Sequence, residues 1–253
     1  MNAIGTKTLL KKEVRRFLRV PGQTVFSPLI TTTLYFVVFG YSLGSTMQAV
    51  HGIPYIHFIV PGLVFLGIAN NAFLNSSSSL FMHKMQGTVV DLLVAPLGPG
   101  DLLMGFVGGA MVRGLVVGLL TWVVAMFFTG FQLAHAILLP LQLLLVSYVF
   151  SVYGVLAALW AEKFEEINVF PTFIMLPLTF LGGVFYSVDR LPPPWRQVSL
   201  FNPIVYMVDT LRYGMLGQAD FHWWIGLTIL AALALTGTAL AWVLLQRGYK
   251  LKS

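Results

Sequence analysis

The stretch that decides the fold is residues 182–217, GGVFYSVDRLPPPWRQVSLFNPIVYMVDTLRYGMLG. It separates two long apolar runs, yet it is no simple turn. Its prolines and charges make it too polar to cross a bilayer. Its aromatic and aliphatic residues make it too apolar for a solvated loop. Such a segment sits at a membrane surface or dips part-way in, packed on protein. Non-helical backbone survives at membrane depth only where protein or a water-filled cavity satisfies it. The stretch therefore points to a transport pathway rather than to a soluble active site.

Composition agrees. Of 253 residues, 57% are hydrophobic and 9% charged, whereas soluble domains carry about 25% charged residues. A soluble fold has no place for that much apolar surface, so the solvent is lipid. There is no cysteine, which excludes disulfides and thiolate metal sites. No His/Asp/Glu cluster with metal spacing is expected, and His51 and His57 read as loop residues. The first twenty residues are basic and amphipathic, without the apolar core and small-residue cleavage site of a signal peptide.

A membrane span needs about 20 apolar residues. Six segments qualify: 24–43, 56–79, 102–128, 133–160, 169–186 and 222–245. Six spans put both termini on one side. Lys7, Lys11, Lys12, Arg15, Arg16 and Arg19 mark that side, with Lys84, Lys163, Arg247, Lys250 and Lys252. The other side holds Arg190, Arg196 and Arg212. The excess of Lys/Arg makes both termini cytoplasmic and the opening stretch external. The expected fold is an all-α membrane protein. Residues 1–22 form an amphipathic interfacial helix and residues 23–253 a six-span transmembrane domain, with re-entrant helices at about 187–215.

At 100° per residue, Leu9, Leu10, Val14, Phe17 and Leu18 share one helix face, and Lys11, Lys12, Arg15, Arg16 and Arg19 the other. Lys7 and Glu13 break the pattern, and Pro21-Gly22 ends the helix. The face suits an anchor on anionic membrane lipid or a platform for a cytoplasmic partner. Nucleic acid is not expected as a partner, because phosphate has no use for the apolar face.

Between spans two and three, residues 86–96 read as a short helix. Gly87-Thr88 starts it, with Thr88 as N-cap and Asp91 at the third helical position, a pair like a capping box. Leu92, Leu93 and Val94 are apolar, and Ala95-Pro96 with Gly98-Pro99-Gly100 stops it. The helix either caps the bundle or inserts into a partner's groove.

Inside the membrane, Asn71, Asn75 and Ser78 make one polar stripe on span two. They serve as helix–helix hydrogen bonders or line an inward-open cavity for an amphipathic substrate. Arg113 is the base deep in a span, a placement that costs about 2.5–3.5 kcal/mol. Gly105, Gly109, Gly114 and Gly118 allow close helix approach around it. Its expected partner is Asp101, Glu162, Glu165 or Glu166. Pro61, Pro171 and Pro177 interrupt spans two and five as kinks or hinges. On the external side Asp209 and Arg212 lie i, i+3 and are expected to pair. Phe185, Tyr186, Trp195, Phe201, Tyr206 and Tyr213 gate the exit or anchor the cap at the interface.

Gly40-Tyr41-Ser42-Leu43-Gly44 spells GxSxG, but at the end of a span rather than on a strained elbow, so protease chemistry is not expected. A channel or scaffold subunit without an ATPase is the remaining alternative, although no ring-forming set of charges stands out. There is no GxxxxGK[ST] phosphate loop, so this polypeptide alone does not hydrolyse ATP.

Several ordered motifs carry a family likeness. They are TLYF at 33–36 with Phe39-Gly40, FIVPGL at 58–63, LLVAP at 92–96, Gly108-Gly109 and Arg113-Gly114. LGGVFYS at 181–187, NPIVYM at 202–207, Arg212-Tyr213-Gly214 and Gln246-Arg247-Gly248 continue the series. The chain resembles the ABC-2 type exporter permeases, most closely the YadH-type inner-membrane permeases of bacteria. That resemblance implies a half-transporter acting as a homodimer in the plasma membrane. Two copies of a separate cytoplasmic ABC ATPase would power it and bind the ATP and Mg; this chain would hold no cofactor. Gly87, Thr88, Asp91, Leu92, Leu93 and Pro96 would form the coupling helix, and the N-terminal helix would be a connecting helix. Many relatives carry an acidic residue just before the coupling helix; His83-Lys84-Met85 stands here, so no carboxylate contact with the ATPase is expected there.

Overall fold

The computed structural model describes residues 2–44 and 49–251. Among them the regular structure is helical, and the one extended pairing is a bridge between Val50 and Ile53. Ten helices follow in order: α1 (Ala3–Leu18), α2 (22–43), α3 (Tyr55–Met85), α4 (Val89–Val94) and α5 (Pro99–Thr129) come first. Then come α6 (Leu138–Trp160), α7 (169–180), α8 (Pro193–Leu200), α9 (Pro203–Leu216) and α10 (Trp223–Gln246).

Five helices are long and apolar enough to cross a membrane: α3, α5, α6, α10 and, within α2, Gly22–Gly40. The expected span at 169–186 is not among them. Its helix stops at Phe180, so 12 residues cover about 18 Å, short of the roughly 30 Å hydrocarbon core. The sequence explains the stop. The helix passes through Pro177, whose missing N–H weakens the preceding turn without ending it. The chain then leaves the helix at Leu181-Gly182-Gly183, with Gly183 at φ +68°, where a side chain would be strained. From there it folds back through a 3₁₀ turn (Val188–Arg190) into α8 and α9.

The packing places α3 at the centre. In its most apolar window 72% of α3 is buried, against 17% for α10. Phe58, Phe65, Ile68 and Phe73 of α3 form the core with Val146 and Val149 of α6 and Leu211 of α9. The glycines of α5 serve two helices. Gly114 and Gly118 admit Ala72 and Ile68 of α3, whereas Gly105 and Gly109 admit Leu9 and Glu13 of α1. A Cβ at any of these positions would lie within 3.0 Å of a neighbour.

The N-terminal helix therefore lies on protein along its apolar face. Leu9, Glu13 and Phe17 are buried, and Lys11, Lys12, Arg15 and Arg19 are exposed. Its start is fastened by Asp101, which accepts the Asn2 N–H at 3.0 Å and the Thr6 hydroxyl at 2.7 Å while also accepting the Gly98 N–H at 2.9 Å. One carboxylate thus caps the beginnings of α1 and α5.

The short helix forms where expected, but not through the expected cap. Thr88 sits at φ −73°, ψ −3°, a helical conformation, and makes no capping bond; an N-cap needs extended backbone to aim its oxygen at the first free N–H groups. The Thr88 hydroxyl pairs instead with His83 Nδ1 at 2.7 Å. The capping box with Asp91 does not form, and Asp91 is exposed beside Val90 and Val94.

Candidate functional site

A groove of about 400 Å³ opens along the flank of the bundle. Its walls are α2, with Gln23, Ser27, Thr31, Thr32 and Tyr35, and α7, with Pro171, Met175, Leu176, Thr179 and Phe180. Its floor is α3, with Leu66, Gly67, Asn70, Asn71 and Leu74, and Arg113 reaches in from α5. The lining is half amide, hydroxyl and guanidinium, half aliphatic and aromatic. Such a surface fits neither pure lipid nor pure water.

The groove is stopped at one end by rings. Phe185 stacks on Phe39 at 4.8 Å and meets Tyr35 at 5.9 Å and Phe180 at 6.2 Å. Its carbonyl accepts the Tyr55 hydroxyl at 2.8 Å, which fixes this plug to α3. Both walls carry π-helical turns: 22–26 and 36–43 in α2, and 171–175 in α7. These are the π stretches of the described residues, and all lie on the elements facing the groove. Such turns occur mostly as interruptions of α-helices at functional sites.

Of the expected polar stripe, only Asn71 reaches the groove. Its Oδ1 accepts Arg113 Nη2 at 3.1 Å. None of the expected carboxylates pairs with Arg113. Asp101 is taken by the two helix starts described above. Glu162 pairs with Lys250, and Glu166 accepts the Glu162 N–H at 2.8 Å. Arg113 Nε is buried and bonded to no protein atom.

Asn75 turns to α1 instead. Its Oδ1 and its carbonyl both accept Arg16 Nη2 at 3.0 Å. Arg16 Nε in turn reaches Glu13 at 3.2 Å, and the Ser79 hydroxyl donates to the same carboxylate at 2.5 Å. Ser78 bonds to the Leu74 carbonyl of its own helix. Sequence reasoning passed over Glu13 as a break in the pattern. The signal was present: Leu9, Glu13 and Phe17 are i, i+4 and i+8, so the acid falls on the buried face.

The far end of the bundle is built on an ion pair. Asp209 accepts Arg212 Nη1 at 3.2 Å and the Asp220 and Phe221 N–H groups at 2.9 Å each. Arg212 also donates to the Gly183 carbonyl at 2.9 Å and lies 3.9 Å above the Phe58 ring. Both side chains are almost fully buried, 5% and 3% exposed. Burial pushes the Asp209 carboxyl up and the Arg212 guanidinium down. The pair itself and the two backbone donors oppose those shifts.

The ring residues proposed for the exit divide. Phe185 lines the groove. Tyr186 and Tyr206 donate to the Phe180 and Leu200 carbonyls at 2.5 and 2.8 Å, and Tyr213 stacks on His135 at 4.3 Å; these three brace the hairpin. Trp195 and Phe201 are exposed away from the groove, Phe201 at 90%. One cluster was not foreseen: ligand atoms of His51, Asp189 and Asp220 lie within 4.8 Å of one another, brought together by the hairpin. Its groups already pair, His51 with Asp220 at 3.1 Å and Asp189 with Arg196 at 2.6 Å. His57 is engaged by Gln132, and Gly40–Gly44 is the end of a helix, so the GxSxG spelling has no catalytic elbow.

A bundle with five helices long and apolar enough to cross a membrane, and no strand among its described residues, belongs to the helical membrane-protein class. The comparison with known proteins narrows it. The family model for ABC-2 type transporters matches residues 5–216. The inner membrane transport permease YadH of Escherichia coli K12 is 41% identical over 250 residues, covering 99% of this chain and 98% of that protein. Nodulation protein J of Rhizobium leguminosarum bv. viciae is 25% identical over 198 residues, 77% of this chain and 76% of that protein. Nodulation protein J of Rhizobium meliloti is 24% identical over 226 residues, covering 88% and 86%. The chain belongs to the ABC-2 type transporter family.

Proposed function

We propose that this chain is the permease subunit of an ATP-driven exporter that moves an amphipathic molecule through the flank groove. The carrying observation is the mixed lining of that groove, closed at one end by Phe185 and open along its side. An amphipathic cargo needs hydrogen-bonding partners and apolar wall along the same path, and this surface supplies both. The name of the E. coli relative favours an inner-membrane location, with both termini cytoplasmic by the Lys/Arg distribution. The groove flank would face a second copy of the chain. The short helix α7 with the α8–α9 hairpin would then be the sixth, incomplete crossing and its external cap.

Energy comes from a separate ATPase in this reading, two copies per homodimer, which bind ATP and Mg. Helix α4 is its contact. Met85, Val90 and Val94 are exposed apolar residues at 62%, 49% and 77%, a patch that water alone does not favour. His83 links the α4 entrance to α1, through Thr88 on one side and Lys12 at 3.0 Å on the other. A push on α4 would thus reach the N-terminal helix and, through Arg16 and Glu13, α3. The test is retention of an ATPase subunit on the affinity-purified permease. Val94→Glu, on the exposed side, should lose that subunit and leave the melting temperature unchanged. Purification without any ATPase from native membranes would favour a channel instead.

A further inference from the structure

The groove holds a cation with no anion. Arg113 lies fourteen residues into α5, about 21 Å along the helix from its start, in the middle of a span. A lone charge at that depth is expensive and is normally paired or placed on a substrate path. Among the described residues no carboxylate forms an ion pair with it. The neighbouring charge that acts on it is Arg16, of the same sign, and Arg16 already has Glu13. Asn71 satisfies one terminal nitrogen of Arg113, and Nε remains buried without a protein partner. A purely structural arginine would be expected to neutralise its charge with one of the acids of this chain. Asp101, Glu162 and Glu166 are all committed elsewhere.

Asn71 and Asn75 sharpen the contrast. They stand one turn apart on α3, and each receives an arginine from a different helix. The Arg16 arm ends in a carboxylate, whereas the Arg113 arm ends in the groove. Gln23, Ser27 and Asn70 line the same groove and supply further donors suited to oxygens of an anion.

We propose that the transported amphiphile carries an anionic group, a phosphate or a carboxylate, and that Arg113 receives it in the groove. This rests on the groove being the path. The guanidinium offers the planar, multiple-donor geometry that oxyanions take. Asn71 is a positioning residue: by holding Nη2 it orients the guanidinium toward the groove without cancelling its charge.

The absence of cysteine permits a clean test in the full-length chain. Thr31, exposed on the groove wall, is replaced by Cys, and its maleimide labelling is followed in phosphatidylcholine vesicles. Dodecyl phosphate and uncharged dodecyl glucoside are the probes. Dodecyl phosphate is expected to slow labelling at a concentration about tenfold lower than the glucoside, the worth of one charge-assisted contact. Arg113→Gln should close that gap and Arg113→Lys keep most of it. Asn71→Asp, which puts a carboxylate against the guanidinium, should close it as well while the melting temperature holds. Inorganic phosphate, and phosphatidylglycerol added to the vesicles, should not protect. Discrimination that survives Arg113→Gln overturns the proposal. Equal protection by phosphatidylglycerol or free phosphate also overturns it, because the anion is then bilayer lipid or an ion rather than cargo. If both dodecyl probes protect equally in the parent, anion selection fails and the groove reading stands. If neither protects, the groove reading falls and takes the proposal with it.

Discussion

Asp209→Asn isolates the charge that ties α9 to the turn before α10. The substitution keeps volume and one carbonyl oxygen but removes the negative charge. In the parent the carboxylate accepts three donors, Arg212 and the N–H groups of Asp220 and Phe221. Both members of the pair are at most 5% exposed, so solvent screening gives little relief. Leaving one partner of a buried pair uncompensated costs about 3–5 kcal/mol. For a chain of this size each kcal/mol lowers Tm by about 2–4 °C, which predicts a drop of roughly 6–20 °C. The assay is the thermal melt of the purified permease, with Arg212→Met and the double variant completing a cycle. Arg212→Met also frees the Gly183 carbonyl, so it is destabilising alone. The double variant has no stranded charge and should be less damaged than the sum of the singles by about 2 kcal/mol. Strict additivity, or a single variant melting within about 1 °C of the parent, a shift worth well under 1 kcal/mol, would refute the argument that this pair organises the hairpin.

Two further predictions concern the bundle. Gly114→Leu places a Cβ 2.9 Å from both Ala72 Cβ and Ser147 Oγ, where α3, α5 and α6 meet; overpacking there should cost about 1–3 kcal/mol, read as a lower melting temperature, whereas Gly22→Ala, which meets nothing, should not. Lys84 donates to the Ala158, Leu159 and Ala161 carbonyls at 2.8, 3.2 and 2.8 Å, closing the end of α6. Lys84→Met should cost about 1.5–3 kcal/mol, with faster hydrogen exchange at the end of α6 and in the turn after it.

Much of the architecture was legible, because apolar length is a direct physical demand of lipid. Four expected spans coincide with long helices, α3 running six residues beyond its expected end and α6 starting five residues late, and α2 fits the first. The span at 169–186 misled for a local reason: its composition is apolar enough, but the chain turns out of the helix at Leu181-Gly182-Gly183, and a window of hydrophobicity does not weigh a turn. At the site, Asn71 and Arg113 were individually visible as costly polar groups. Their pairing was not, because carboxylates near the ends of the spans were assumed to be available. Asp101 had instead been claimed by the backbone of a helix almost a hundred positions away. Asn75, read as a helix–helix hydrogen bonder or a pathway residue, bonds Arg16 of α1; helical spacing gives a face, not the neighbour that covers it. That neighbour, α1, was read as an anchor on lipid or a platform for a partner, and the glycines that seat it on α5 were assigned to the surroundings of Arg113.

That seating has a practical bearing. The backbone N–H of Asn2 is inside a carboxylate's grip, and the next turns are wedged against glycines of a long helix. An affinity tag or fluorescent fusion joined at this end would have to thread past Asp101 and would pull on the same contact that starts α5. The opposite terminus is the sounder attachment point, since Arg247 and Tyr249 there are exposed. Handling of the protein should treat the N-terminal helix as part of its keel.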